Sequence, residues 1–315
     1  MLTLNDTNIS LDRREPGSDI DFVSHAHSDH TAAVRSSKML LASDQTIQLI
    51  ERASGKQVAR PETYKGVRLL EAGHMLGSRQ LCVDDASTGK RIIYTGDFQM
   101  EGSKTSRPIE ITQADTVILD STYCEPWIEF EKKEDIEAQI REWTQKELDK
   151  GIVLFTAYAM GKAQELIAIL NDAGITPIVS KKISRVCGIY TKNGIGLEYA
   201  SVYDEGSDYE SIMKGGFVGI TDARNLAPLR ASLSEIHNRD VSTAVVTGWS
   251  KVFRFDTDMQ FPFSDHADFK HSLEYINSTG AKNVYTYGPN SGRFAENLQK
   301  LGYDATPFSL YSAKR

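Results

Sequence analysis

Four residues of metal-binding type fall within six consecutive positions: His25-Ala26-His27-Ser28-Asp29-His30. They follow residues 20–24, which read as a strand. Two histidines at i and i+2 at a strand end project to one side and can share a zinc ion. Zinc holds imidazole and carboxylate at about 2.0–2.2 Å, and its catalytic sites keep a position open for water. Asp29 and His30, on the turn into the next helix, can then serve a second ion. Two later residues join them by their settings. His74 lies in Glu71-Ala72-Gly73-His74-Met75-Leu76-Gly77-Ser78, where the glycines allow close backbone approach. Asp97 lies in Tyr94-Thr95-Gly96-Asp97-Phe98, just after a strand over 91–95, and a carboxylate at a strand end can bridge two metals.

Bulk properties bound the setting of such a site. A chain of 315 residues, 40% hydrophobic and 25% charged, is an ordinary globular protein with room for one large domain or two modest ones. It has no run of about 18 apolar residues, so no membrane span is expected. The start lacks the basic and apolar regions of a signal peptide. Three widely spaced cysteines, Cys82, Cys124 and Cys187, fit a reducing compartment better than a disulfide framework, and a cytoplasmic location is expected. The net charge of −7 argues against a protein that coats nucleic acid. Two divalent ions would return about +4 locally, and basic clusters stand at Arg13-Arg14 and over 181–185.

Along the chain, short strands are expected near 8–12, 19–24, 67–71, 80–84, 91–95 and 117–119, with helices near 31–36 and 43–53. Residues 135–150 form an amphipathic helix with Ile136, Ile140 and Trp143 on one face. Glu137 and Arg141 make an i,i+4 pair, and Gly151 stands where a C-terminal cap belongs. From residue 152 the pattern turns to strand–helix alternation, which suggests a small parallel sheet. Strands are expected over 152–156, 175–180, 217–221 and 243–247, with helices over 162–173, 182–189 and 223–237. The chain closes with helix 268–278, strand 283–287, helix 292–301 and strand 305–310. A cap inserted into one fold fits this order better than two domains in series.

His25-x-His27-x-Asp29-His30, then Gly73-His74, then Thr95-Gly96-Asp97, resembles the signature of the metallo-β-lactamase superfamily. Asp12 matches the family's supporting aspartate, which orients a ligand histidine. Three further segments resemble the β-CASP nucleases, and particularly the Artemis/Apollo-type DNA repair nucleases. These are Asp120-Ser121-Thr122-Tyr123-Cys124-Glu125-Pro126, Thr156-Ala157-Tyr158-Ala159-Met160-Gly161-Lys162, and Pro262-Phe263-Ser264-Asp265-His266. The resemblance implies an α/β fold, an αββα sandwich with an inserted α/β cap. Its parts would be 1–160 and 248–315 for the main domain and 161–247 for the cap.

It also implies a metal-dependent nuclease with His25, His27, Asp29, His30, His74 and Asp97 as metal ligands. One zinc would be tightly held, and a second divalent ion (zinc, manganese or magnesium) more weakly. Asp29, Asp97, Asp120 and His266 would be the catalytic set. Asp120 beside His266 would keep the imidazole protonated near neutral pH, as an acid for the leaving oxygen. Lys162, at a helix start after Gly161, is placed to hold a terminal phosphate with Ser121, Thr156 or Ser264. RNA-processing members carry a late metal-binding histidine where this chain has Tyr287, and a neutral phenol is a poor zinc ligand. The substrate expected is therefore DNA more than RNA: a 5′-phosphate-directed exonuclease or structure-specific nuclease in repair. The alternatives are an RNA-processing exo- or endoribonuclease and a catalytically silent scaffold subunit.

Overall fold

The computed structural model describes residues 1–4, 7–34, 39–204 and 206–308. Its elements run in the order β1 (Leu2–Leu4), β2 (Thr7–Leu11), β3 (Ile20–Phe22), β4 (Leu40–Leu41), α1 (Asp44–Ser54), β5 (Val67–Glu71), β6 (Arg79–Asp85), β7 (Lys90–Tyr94) and β8 (Thr116–Asp120). There follow α2 (Lys133–Leu148), β9 (Gly151–Thr156), α3 (Lys162–Asn171), β10 (Ile178–Val179), α4 (Lys181–Lys192), α5 (Tyr209–Met213), β11 (Val218–Thr221), α6 (Ala227–His237), β12 (Asp240–Val246) and β13 (Met259–Phe261). The chain ends with α7 (Phe269–Thr279), β14 (Asn283–Tyr287), α8 (Ser291–Lys300) and β15 (Asp304–Pro307).

Two compact units result, one of Met1–Glu129 with Asp265–Arg315, the other of Phe130–Ser264. The first holds a four-stranded sheet, β1-β2-β3-β4, and a six-stranded sheet, β15-β14-β8-β7-β6-β5. Strand alternation sorts their side chains into layers. Ile118 and Tyr94 face inward to Leu11, Ile20 and Phe22 of the smaller sheet, forming the core between the sheets. Val117, Leu119 and Ile93 face the other way, onto Tyr275 and Ile276 of α7 and Phe294 and Leu298 of α8. This is the αββα sandwich. Strand β14 pairs with β8 in parallel, Tyr287 opposite Asp120, so the two strand ends lie side by side.

The second unit is a parallel sheet in the order β10-β11-β9-β12-β13, with helices on both faces. Val153 and Phe155 of β9 meet α2, α3 and α4 on one face. Ile152 and Leu154 meet a smaller cluster with Leu229 and Leu233 of α6 on the other. A strand buried on both faces reads as a continuous apolar run, which is the case for β9.

Several boundaries differ from the sequence expectation. The second unit begins before α2 rather than at 161 and ends at Ser264 rather than 247. The reason is packing: Ile136 and Ile140 of α2 lie in the same core as β9, and β13 is an edge strand of the same sheet. Gly151 does not cap α2; the cap is Asp149, and Gly151 starts β9. Strand 175–180 shrinks to Ile178–Val179. Residues 32–34 form a turn where a helix was expected, and residues 35–36 and 309–310 of two expected elements lie outside the described residues. The Glu137–Arg141 pair forms at 3.6 Å.

Phe155 is fully buried, with Trp143 at 5.7 Å and Phe261 at 6.4 Å between ring centroids. Phe155→Ala is expected to destabilise the second unit by about 3–5 kcal/mol in urea unfolding. A loss below about 1 kcal/mol would show that this core is not closely packed.

Candidate metal centre

The histidine cluster forms where β3 ends and the chain turns. His25 is fully buried, and its Nε2 lies 3.1 Å from His27 Nδ1, which is 3.2 Å from His74 Nε2. The Asp97 carboxylate completes the group, 3.5 Å from His25 Nε2 and 3.9 Å from His74 Nε2. Around an ion with bonds of about 2.0–2.2 Å, tetrahedral ligand atoms stand roughly 3.3–3.6 Å apart, and the spacings here, from 3.1 to 3.9 Å, bracket that range. The four donors lie within 4.8 Å of one another.

Proton placement points the same way. His74 Nδ1 lies 2.8 Å from the Asp265 carbonyl, which only accepts, so Nδ1 carries the proton and Nε2 a bare lone pair. His25 Nδ1 lies 3.0 Å from the Ser24 hydroxyl, whose own proton goes to Asp12 at 2.7 Å; His25 Nε2 is likewise bare. Of the three facing nitrogens only His27 Nδ1 can carry a proton, and one proton cannot satisfy all three. A cation at their centre does. Burial holds His25 well below the ordinary imidazole range and His74 at about 3, so both are neutral at neutral pH and could hold a metal ion.

Close backbone approach is what the glycines allow. Gly73 has φ +82°, and a Cβ there would stand 2.1 Å from the Gln99 carbonyl oxygen. Gly96 has φ +57°, and a Cβ there would stand 2.5 Å from Ser24 Cβ. Each therefore fixes the residue that follows it, His74 or Asp97.

A second position forms less completely. His30 Nε2 lies 3.4 Å from Asp97 Oδ2 and 3.7 Å from Asp29 Oδ2, but the Asp29 side chain is 78% exposed. His30 is oriented by Asp12, whose Oδ2 accepts from Nδ1 at 2.9 Å. Asp12 also accepts from the Ser24 amide at 2.6 Å, the Ser24 hydroxyl, and the Tyr94 hydroxyl at 2.7 Å. Burial opposes a charged His30, but Asp97 and Asp12 overcome it and raise its pKa well above the ordinary value. Burial likewise opposes a charged Asp97, while His30 and His25 hold it well down. Tyr287 is buried, its ring 5.0 Å from Tyr94, and burial raises its pKa further, which keeps the phenol neutral.

Asp120 and His266 come together across 146 residues of sequence. His266 Nδ1 donates to Asp120 Oδ2 at 2.8 Å, while Asp120 Oδ1 accepts from the Thr122 amide at 2.9 Å and hydroxyl at 2.7 Å. The His266 ring lies 4.6 Å from that of His74, which brings it beside the histidine cluster. Burial alone would lower its pKa; the hydrogen bond to Asp120, with the charge of Asp97, lifts it to about 9. His266 thus contributes stability that is complete below 6.5 and lost as pH rises through about 9.

The four residues expected to hold phosphate fare differently. Ser121 is buried and donates its hydroxyl proton to the Tyr287 carbonyl, so it ties β8 to β14 and has no proton left for a phosphate. Thr156 likewise donates to the Ala223 carbonyl at 2.7 Å. Lys162 is not a surface lysine: it is 2% exposed, with Nζ 4.9 Å from the Phe263 ring centroid. Thr156, Lys162 and Ser264 all belong to the second unit. Ser24, Tyr94, Thr122 and the Asp265 carbonyl support the site but carry no signal in their own spacing; only Asp12 hinted at them.

No family model matches the chain. It is 26% identical to a probable DNA ligase of Opitutus terrae over 90% of its own length, but spans only 28% of that relative. It is 34% identical to an uncharacterized protein in the lig 3′ region of Acidianus ambivalens, over 41% of this chain and 89% of that protein. Shorter similarities reach an RNase J-like protein of Methanocaldococcus jannaschii (32%, 33% of this chain and 25% of that one) and the 5′ exonuclease Apollo of Gallus gallus (27%, 53% and 39%). Among solved structures, a protein of unknown function from Enterococcus faecalis shares the fold with a TM-score of 0.65 and 11% identity, over 96% of this chain and 82% of that one. The chain belongs to the metallo-β-lactamase superfamily and, within it, to the β-CASP group.

Asp12→Ala is expected to weaken zinc affinity about 10–100-fold, read by competition with a chromogenic chelator, because His30 and the Ser24 turn lose their anchor. Unchanged affinity would remove Asp12 from the site. In metal-free protein, NMR titration should place the His266 imidazole near pH 9 and lower in Asp120→Asn. A wild-type value at or below 6.5 would contradict the pairing.

Proposed function

We propose that the chain is a metal-dependent phosphodiesterase acting on nucleic acid. More specifically, we read it as a 5′-phosphate-directed DNA exonuclease or structure-specific DNA nuclease in repair. The observation that carries this reading is the Asp120–His266 pair at 2.8 Å beside the histidine cluster. A hydrolase of small substrates needs only the metal site; a protonated imidazole next to it suits the departure of an alkoxide from phosphorus.

His25, His27, His74 and Asp97 would hold the first ion, zinc by its donor set. His30, Asp97 and Asp29 would hold the second more weakly, as zinc, manganese or magnesium. When bound, the ions supply Lewis-acid activation of water and neutralise charge on the phosphoryl oxygens. The chain itself does the rest. Asp12 holds a proton on His30 Nδ1, so Nε2 is the nitrogen that would give up its proton to an ion. The Asp265 carbonyl does the same for His74. Asp120 holds His266 protonated, so that His266 can pass a proton to the leaving oxygen and then recover it from solvent. Ser121 and Thr156 give their hydroxyl protons to carbonyls, which argues against them as partners for a terminal phosphate.

The probable DNA ligase supports DNA as substrate, and the 5′ exonuclease Apollo supports attack from a 5′ end. Tyr287, buried and neutral where RNA-processing members carry a histidine, supports it too. The RNase J-like relative keeps RNA as the second reading. An inactive scaffold is disfavoured because the ligand set is complete at the first metal position.

The test is digestion of matched single-stranded DNA and RNA, each with a 5′-phosphate or a 5′-hydroxyl. Preference for 5′-phosphorylated DNA is expected, together with a loss of about 10²–10⁴ in kcat for His266→Ala. Preference for RNA would overturn the substrate, and no cleavage of either by zinc-loaded protein would overturn the activity.

A further inference from the structure

A globular protein seldom leaves several large apolar side chains in water side by side. The loop after β12 does so: Phe253 is 56% exposed, Phe255 37% and Val252 36%. Lys251, whose ammonium lies 3.9 Å from Glu131, precedes them, and Arg254 stands between the two phenylalanines; both are exposed as well. The loop is shaped rather than slack. Phe253 N–H donates to the Trp249 carbonyl at 2.8 Å, and the Gln260 side chain brackets the Phe255 backbone, accepting from its N–H and donating to its carbonyl, each at 3.4 Å. The rings of Trp249 and Phe253 stand 5.7 Å apart at 35°, a tilted stack with one member half-buried and the other in solvent.

Its place in the second unit is equally specific. In parallel sheets ligands bind beyond the carboxyl ends of the strands, where successive connections leave in opposite directions. In the order β10-β11-β9-β12-β13, that point lies at β9. Thr156 at the end of β9 pairs with Val245 of β12, so the two following loops leave the sheet as neighbours, about 4.8 Å apart at the strands. The β9 loop carries Tyr158, 57% exposed.

We propose that the loop over residues 249–255, together with Tyr158, is a base-stacking platform for a single strand of nucleic acid. The inference rests on the reading of the chain as a nuclease and extends it to how a strand is gripped. Exposed rings stack only on bases that are themselves unstacked, and interleaved cations meet the phosphates between them. A duplex offers its bases no such access. Two copies of a chain whose net charge is −7 repel each other, which disfavours a second copy as the occupant.

The test uses fluorescence anisotropy with the full zinc-loaded chain and a 5′-phosphorylated oligothymidylate made uncleavable by phosphorothioate linkages. Phe253→Leu with Phe255→Leu is expected to weaken binding about tenfold or more. Phe253→Tyr with Phe255→Tyr should retain it, because the tyrosines keep the rings and the leucines keep only the apolar area. Ile236→Ala, which removes another exposed apolar side chain in the same unit, should leave it unchanged. Lys251→Ala with Arg254→Ala should flatten the salt dependence. Wild-type affinity in the leucine variant would overturn the platform. So would equal loss in the leucine and tyrosine variants, or a leucine variant altered only in self-association. If the wild-type chain cleaves DNA while the leucine variant binds normally, only this inference falls; if wild type neither binds nor cleaves, the nuclease reading falls with it.

Discussion

The buried carboxylate of Asp12 is the constraint on which the metal centre depends. It takes four hydrogen bonds, from the Ser24 amide and hydroxyl, the His30 ring and the Tyr94 hydroxyl. An ionised carboxylate in a protein interior is costly unless so satisfied. The arrangement also carries backbone strain, since Asp12 sits at φ +57°, a region that costs a non-glycine residue about 1–3 kcal/mol. What the strain secures is geometry. One carboxylate fixes the start of the histidine loop through Ser24, the tautomer of His30, and the position of β7 through Tyr94. The two sheets of the sandwich are thereby locked to each other at the edge where the ligands emerge.

The site inherits its order from strand ends. His25 follows β3, Asp97 follows β7, and Asp120 ends β8. β7, β8 and β14 run parallel in one sheet, so Asp97, Asp120 and the residues after Tyr287 emerge at the same edge. His266 arrives just after the chain leaves its second unit. The Gln99 side-chain amide holds its carbonyl at 3.0 Å, and the neighbouring Asp265 carbonyl orients His74.

Much of this was legible in the sequence because it is local. Three histidines and an aspartate in six positions announce themselves, and both ends of β14 are legible because Val284, Tyr285, Thr286 and Tyr287 are a run of strand-favouring residues. What escaped is non-local or without side-chain identity. Tyr94 reaches Asp12 across 82 residues, and the carbonyl that fixes His74 is 191 residues away and belongs to the backbone. Strands β4 and β13, two and three residues long, are too short to show a period. The start of the second unit was misplaced because an amphipathic helix does not say which sheet it covers. Ser121 and Thr156 carry hydroxyls of the right kind for phosphate, but only the fold shows that carbonyls have already claimed their protons.

The most direct test of the account is to strip the protein with a chelator and reload it with zinc while following hydrolysis of 5′-phosphorylated single-stranded DNA. The stripped protein is expected to hydrolyse nothing, reloading to restore full activity, and Asp97→Ala, which lacks the carboxylate proposed for both metal positions, to recover none. Hydrolysis that survives complete removal of metal, or that zinc restores equally in Asp97→Ala, would contradict it.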